Sequence, residues 1–521
     1  MRRLANPLAL LLSAALVGSF PVARAAAQIA PQIVNGEPEF AEPTTAALLQ
    51  GLDPETALVA CSATLIGCDT AITTGHCFNA NASLRRTLFF QHAGFYEIES
   101  AIRHPVYVAY YEEGIGNFYE VTRQEDIALI KLVTPVSGIT PSPINTAQTP
   151  APGTPGRVVG FGRDPLTEVS SFQQNAGVKR SGWMTLAACQ DPTLSPYDVL
   201  CWDPSETIGD PGEDVSTCNV DSGGPLFVDQ AGVRVVAGLT KGAIQPTGSC
   251  IPPVEAYDTN VFRHHPWIEQ TVADLGAVDL SVTDCGGLPQ VAPDAVAGSC
   301  DGLPWGPGET TRVCGFGGEL SATLLQEQHL IQVADGTQQL RVTLNGVSRP
   351  TNPVDVDLYV RAGAPPTTSV YDCAGIATGN FAACEFDAPQ AGAWYVLAVR
   401  VTGTVAYQVT ATQFGPPPTA CSDGLDNDGD GLIDYPADPG CLGWASTLEN
   451  PQCDDDLDND WDGKIDWDGG AGGGTPDPQC TTGSGKREAA PRGCGLGMEL
   501  VIASPLLSAL RRRRGRWLRR P

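Results

Sequence analysis

The sequence predicts an all-β chain built from several domains, and three observations carry that reading. Glycine (58) and proline (43) are abundant among the 521 residues, while charged residues make up only 17%. Short apolar runs recur between Gly, Pro, Asn and Asp, as in 58–65, 158–162 and 233–240. Long amphipathic helical stretches are hard to find. Many short strands punctuated by turn residues suit a sandwich or a barrel. A chain of this length holds about two to four domains and does not need disulfides for want of a core.

Taken in order, the chain opens with Arg2 and Arg3, an apolar stretch from Leu8 to Val17, and Ala23-Arg24-Ala25 as a small-x-small cleavage site. That is the pattern of a secretory signal peptide over 1–25, and its apolar run is short for a membrane span. Seventeen cysteines fit the oxidising compartment it leads to. A short propeptide-like segment, 26–32, ends in Gln32. Residues 33–275 carry the first set of strands, closed by a helix expected from Pro266 to Leu275. A Gly/Pro/Cys-rich linker occupies 276–313. Alternating patterns return at 338–344, 354–360, 393–401 and 407–412, so 314–414 reads as one β-sandwich. Two related acidic segments fill 418–482, and 493–521 holds Gly-Cys-Gly, an apolar stretch and an arginine cluster.

The net charge of −28 is uneven: residues 418–480 hold 16 Asp and Glu against one Lys. Such a chain repels phosphate backbones, which excludes nucleic-acid binding, and it suits hard cations such as calcium.

Three separated strings carry chemistry. Thr73-Thr74-Gly75-His76-Cys77 offers a histidine, Asp126-Ile127-Ala128-Leu129 an acid leading an apolar strand, and Cys218-Asn219-Val220-Asp221-Ser222-Gly223-Gly224-Pro225 a serine in a glycine-flanked turn. A serine hydroxyl needs a neighbouring base to become a nucleophile, and histidine serves near neutral pH. A buried carboxylate fixes the imidazole tautomer and stabilises its cation. Each string alone says little; all three in this order and spacing say much more. The remaining histidines, His92, His104, His264, His265 and His329, show no metal-ligand spacing along the chain, and no zinc site is expected.

With these strings, residues 33–275 resemble the chymotrypsin/trypsin-type serine proteases. The resemblance implies a two-barrel fold, a protein or peptide substrate, no catalytic cofactor, and His76, Asp126 and Ser222 as the catalytic triad. It makes the Val220 and Ser222 N–H groups the oxyanion hole. It makes Ile33-Val34-Asn35-Gly36 a mature N-terminus, exposed by an activating protease, whose amino group pairs with Asp221. It places Ser216, Thr240, Gly242 and Glu255 around the specificity pocket, with Thr240 bonding the triad acid. It pairs Cys61 with Cys77, Cys189 with Cys201, and Cys218 with Cys250. Cys68 has no partner in that pattern and is assigned to Cys285.

Three departures from the family pattern bear on activity. Val220 replaces a glycine, and a β-branched residue resists unusual backbone angles. Gln32 is not the Lys or Arg that trypsin-like self-activation needs. Ser216 stands where trypsin-like members carry an aspartate, which implies apolar substrates, while Glu255 either attracts a basic side chain or fills the pocket. The competing expectation is a surface binding or adhesion protein on an inactive protease scaffold; a weaker one is an esterase.

Downstream, Asp355-Val356-Asp357-Leu358-Tyr359-Val360, Gly392-Ala393-Trp394-Tyr395-Val396 and the pair Cys373 and Cys384 resemble the bacterial pre-peptidase C-terminal domain, an accessory β-sandwich. Alternate acids on a glycine-bearing loop can surround one Ca²⁺. Asp426, Asp428, Asp430 and Asp434, then Asp458, Asp460, Asp462 and Asp466, follow that pattern and resemble thrombospondin type 3 and dockerin-like repeats. Ca²⁺ is the expected ion, with flanking acids completing its shell and Cys421–Cys441 and Cys453–Cys480 as local staples. The 493–521 segment resembles a bacterial C-terminal sorting signal, read by cell-surface sorting machinery, with Cys494 as its processing point. Secretion to the exterior or the bacterial cell surface follows.

Overall fold

The computed structural model describes residues 33–51, 56–78, 85–114, 117–163, 176–204, 211–244, 255–293, 295, 297–348, 353–470 and 472–488. The signal, propeptide and sorting segments, and Cys250 with them, lie outside these residues.

The first unit is a closed barrel. Around it run Thr45–Gly51, Leu58–Gly67, Thr70–Thr73, Ala128–Leu132, Gly94–Arg103 and Arg85–Phe90, all antiparallel. Its interior holds Leu48, Ala63, Leu65, Leu88, Phe90 and Ile130, the inward half of each alternating strand. The second unit is a seven-stranded antiparallel sheet, in the order Glu37–Pro38, Arg180–Thr185, Pro155–Gly160, Pro225–Gln230, Val233–Ile244, Glu255–Asn260, Val199–Trp202. It folds back on itself, because Ala187 N–H donates to Cys201 O at 2.7 Å and Cys189 is disulfide-bonded to Cys201. Val158, Met184, Leu200, Trp202, Leu226 and Ala256 share the resulting core.

The closing helix α1 runs Val261–Asp274, five residues longer at its start than Pro266 suggests. Proline favours the first helical turn, but here it sits inside. Lacking an N–H, Pro266 cannot serve the Phe262 carbonyl, and the His265 ring Nδ1 lies 2.6 Å from that oxygen instead.

The third unit is a β-sandwich of two four-stranded sheets. One sheet orders Thr311–Leu320, Val405–Phe414, Gln339–Gly346, Phe381–Asp387; the other Gln326–Val333, Gly392–Thr402, Asp355–Ala362, Cys373–Gly375. Leu340, Val342, Leu344, Leu358, Val360, Trp394 and Val409 fill the space between them. Cys373 is bonded to Cys384. The linker straps the units together: Cys285 is bonded to Cys68, Val291 exchanges backbone hydrogen bonds with Gly138 and Thr140, and Cys300 is bonded to Cys314.

Two turn-built repeats follow, stapled by Cys421–Cys441 and Cys453–Cys480. In the first, the Asp434 carboxylate accepts from the Asp423 and Gly424 N–H groups, and Glu449 accepts from Asn427 and Asp434. In the second, Asp466 accepts from Asp455 and Asp456, and Glu488 from Asn459 and Asp466. The second repeat therefore extends to Glu488, past the boundary at 482.

Candidate active site

Strand Thr70–Thr73 pairs with Ala128–Leu132 so that Thr73 faces Ala128, which brings the chain after one strand beside the chain before the other. His76 sits in the 3₁₀ turn Gly75–Phe78 that follows Thr73, and Cys77 is bonded to Cys61. Asp126 is 1% exposed and holds His76 twice. Its Oδ1 accepts from the His76 backbone N–H at 2.9 Å, and its Oδ2 lies 2.8 Å from the ring Nδ1. A carboxylate at Nδ1 keeps the proton there and leaves Nε2 as the basic nitrogen. Thr259 Oγ1 donates to the Asp126 carbonyl at 2.9 Å and fixes the main chain of the acid.

The serine turn is pinned to both β units. Ser222 O accepts from Ser62 N–H at 2.8 Å, Gly223 N–H donates to Thr240 O at 2.8 Å, and Thr240 N–H donates to Gly224 O at 2.9 Å. Ser222 itself is half-buried. The glycines are there for space. A Cβ on Gly223, whose φ is +79°, would lie 1.9 Å from Thr73 Oγ1. One on Gly224 would lie 2.4 Å from Val159 O.

Val220 takes φ +79°, the left-handed region that glycine enters freely and β-branched residues avoid. Packing holds it there: it is buried with Phe89, Phe161, Ala176 and Phe381, the last of these from the sandwich. Asp221 is fully buried, and its carboxylate accepts from Gly162 N–H at 2.7 Å and Cys218 N–H at 2.9 Å. Burial pushes its carboxyl up to about 7, against those two hydrogen bonds and Arg180. The Ile33 side chain is buried in the second core, with Val34 bridged to Ser216. The amino group expected to meet Asp221 exists only once the chain is cut before Ile33.

The pocket residues are arranged differently from the sequence-based expectation. Glu255 is buried and its carboxylate accepts from Gln190 N–H at 2.6 Å and Asp191 N–H at 2.9 Å, so it secures a turn. Thr240 Oγ1 is buried without a hydrogen-bond partner and does not reach Asp126. Gly242 lies under the Tyr257 ring, whose oxygen would be 2.8 Å from an added Cβ. Ser216 is buried and its hydroxyl turns to Thr217 O at 3.3 Å. The residue that spacing missed is Asp258, opposite Thr240 in the sheet. It is fully buried, and neither of its carboxylate oxygens makes a hydrogen bond of good geometry. Burial pushes its carboxyl well above the usual range, with Asp221 adding to the push and the Lys241 backbone N–H opposing it. Cys218 is disulfide-bonded.

In the acidic repeats, one carboxylate oxygen each of Asp426, Asp428 and Asp430 lie within 4.8 Å of one another. Burial raises the Asp428 carboxyl, and its neighbours Asp430, Glu449 and Asp426 add to the rise. Oxygen donors so crowded fit a hard divalent cation. Asp426, Asp428 and Asp430 also accept loop N–H groups, while Asp434 holds the Asp423 and Gly424 backbone outside that group of three. Asp458, Asp460 and Asp462 likewise accept loop N–H groups, and Asp466 plays the part of Asp434.

Residues 34–268 match the family described as Trypsin, and residues 331–399 match the Bacterial pre-peptidase C-terminal domain. Over 43 residues the chain is 56% identical to xanthomonalisin from Xanthomonas sp. (strain T-22), covering 8% of this chain and 5% of that protein. Over 151 residues it is 30% identical to fibrinolytic enzyme, isozyme C, from Lumbricus rubellus, covering 27% of this chain and 60% of that one. Over 218 residues it is 26% identical to the thrombin-like enzyme kangshuanmei from Gloydius brevicauda, covering 41% and 85%. Among solved structures, neuropsin, a serine protease of mouse brain, is 20% identical with a TM-score of 0.33, covering 44% of this chain and 95% of that one.

Proposed function

We propose that the chain, whose residues 34–268 match the trypsin family and residues 331–399 the bacterial pre-peptidase C-terminal domain, is a secreted serine endopeptidase, made as a zymogen and activated by cleavage before Ile33. The two-point hold of Asp126 on His76 carries this reading. Ser222 attacks the peptide carbonyl, and His76 Nε2 takes its proton and later delivers it to the leaving amine. Asp126 orients the ring and stabilises its cation. The Val220 and Ser222 N–H groups face the developing oxyanion. With Glu255 tied to a turn and Ser216 uncharged, the pocket suits uncharged side chains. Asp426, Asp428 and Asp430 would hold Ca²⁺, which supplies positive charge among carboxylates that otherwise repel. The activator is a separate protease, and the C-terminal segment attaches the enzyme to the cell surface.

The positive φ of Val220 favours a second reading, a binding protein on an inactive scaffold. Fluorophosphonate labelling of protein cleaved to Ile33 separates the two. Labelling that disappears in Ser222→Ala supports the enzyme. Absent labelling with an intact Ile33 terminus supports the binding protein.

A further inference from the structure

Three polar side chains outside the triad meet where α1 docks on the loop carrying Asp126. His104 follows the strand Gly94–Arg103, Glu125 directly precedes Asp126, and His264 lies in the first turn of α1. One ligand atom from each lies within 4.8 Å of the other two. His264 Nδ1 is 3.4 Å from Glu125 Oε2, and the two imidazole centroids are 5.5 Å apart. From this cluster we propose that His104, Glu125 and His264 form a binding site for one divalent transition-metal ion of the zinc type, which clamps α1 to the triad loop.

The donor set chooses the ion. Calcium and magnesium require oxygen shells, whereas two imidazoles and one carboxylate suit zinc, with water as a fourth ligand. The surrounding charge points the same way. Arg263 donates to Glu125 Oε1 at 2.6 Å and also to Asp198, and Lys241 is within electrostatic reach of His264. Two positive charges thus face two carboxylates. A hard cation gains little there, while an ion bound through nitrogen lone pairs does not depend on net charge to the same degree. Arg263 engages Oε1 and leaves Oε2 facing His264, as an outer partner that orients a ligating carboxylate.

The 3.4 Å separation of His264 and Glu125 is long for a hydrogen bond, and so is the 3.4 Å contact from Val106 N–H to His104 Nδ1. Tetrahedral ligand bonds of about 2.0–2.1 Å set ligand atoms about 3.3–3.4 Å apart, a spacing that His264 Nδ1 and Glu125 Oε2 already have. Arg263 holds Glu125, Trp267 packs edge-on against the His104 ring at 4.9 Å, and His264 is buried on the helix, so the three groups are already positioned.

The clamp acts on the triad loop through the main chain. His104 N–H donates to Ile127 O at 3.0 Å, and Ile127 N–H donates to Glu125 O at 2.9 Å. These bonds bracket Asp126 between two of the proposed ligands.

The test is titration of the full chain carrying Ser222→Ala, which prevents self-digestion. Excess Ca²⁺ keeps the acidic repeats saturated. Zn²⁺ uptake is followed by calorimetry, and Co²⁺ uptake by its visible absorption. The expected result is one ion per chain, intense four-coordinate Co²⁺ bands, and a raised thermal midpoint. His104→Ala, at a half-buried position, should weaken affinity by roughly tenfold or more. Glu125→Gln should do the same, and His329→Ala in the sandwich should not. No uptake by the folded parent chain overturns the proposal. So does unchanged affinity in both His104→Ala and Glu125→Gln, or loss of uptake on His76→Ala alone.

Discussion

Gln91 and Asn345 stand 254 residues apart in the chain, yet the Gln91 side-chain amide donates to Asn345 Oδ1 at 2.9 Å inside a fully buried seam. Gln91 lies at the end of a barrel strand and Asn345 in the sandwich. Around them, Asn345 donates to Gly177 O and Gln408 Oε1, Gln408 donates to Lys179 O and Glu39 O, and Thr343 donates to Gln91 O. Arg341 reaches Ser137, and His92 pairs with Thr412. The sandwich is thus joined to the trypsin-like units through a buried polar interior, in which Gln91 Oε1 and His92 Nε2 alone of those two side chains' polar atoms stay unpaired. Asn345→Ala removes three buried hydrogen bonds, although Gln91 keeps Gln408 and Gln408 keeps Lys179 N–H, and should destabilise the chain by about 1–3 kcal/mol. Protease and sandwich should unfold in urea as one transition. Two separate transitions, with Asn345→Ala shifting neither, would refute the seam.

That seam shows how far the sequence could be read. The alternation at 338–344 correctly assigned a strand, and Leu340, Val342 and Leu344 do face the sandwich core. Alternation does not say what lies opposite the polar half, and here Arg341, Thr343 and Asn345 meet the barrel rather than water. The strings around His76, Asp126 and Ser222 were legible as motifs, because residues beside the serine are demanded locally: Gly223 and Gly224 have no room for a Cβ. Glu255 and Asp258 were not. A one-residue change of strand register exchanges the faces of a strand, and linear spacing cannot fix that register. His104 and His264 meet only through the docking of α1, which no local pattern encodes.

Val220→Gly should raise catalysis. At φ +79° valine bears a strain of about 1–3 kcal/mol that glycine does not. Losing the buried valine side chain costs about 1.5–3 kcal/mol, so stability should change little. Freed to adopt the geometry an oxyanion demands, the N–H should recover part of the roughly 10²–10³-fold that one donor contributes. Fluorophosphonate labelling rates of the two cleaved proteins measure it. A gain of tenfold is expected, and an equal or lower rate would show that Val220 already presents its N–H correctly.

The chain left uncut before Ile33 should weaken as pH rises from about 4 to 7. The Asp221 carboxyl is raised to about 7 when folded, against about 3.9 when unfolded. The folded state therefore holds a proton that the unfolded state has lost. The penalty is absent below the unfolded value, grows through the interval and levels off above the folded value. Three pH units correspond to about 4 kcal/mol at most. Asp258, raised by the same burial, adds in the same direction. In Ser222→Ala protein, Asp221→Asn should flatten the pH dependence of urea unfolding. Cleavage before Ile33 should flatten it too, by supplying an ammonium partner. An unchanged slope in Asp221→Asn would mean that the carboxyl is not the titrating group.

Calcium should order the two acidic repeats. Asp426, Asp428 and Asp430 place their oxygens within 4.8 Å of one another, and the repulsion among them needs a cation to relieve it. The staples Cys421–Cys441 and Cys453–Cys480 fix the ends of each loop, and Glu449 and Glu488 hold the backbone of Asn427 and Asn459. The binding loop between those fixed points is what the ion must hold. Digestion of Ser222→Ala protein by an added protease should cut within 418–488 faster by about tenfold or more in chelator than in Ca²⁺, if opening before cleavage costs at least about 1.4 kcal/mol more with the ion bound. Asp428→Asn removes one of the three clustered carboxylates and should shrink that protection. Equal cutting rates in chelator and Ca²⁺ would mean that the disulfides and the glutamate hydrogen bonds already hold the repeats, and that the acidic loops are a solvated stalk.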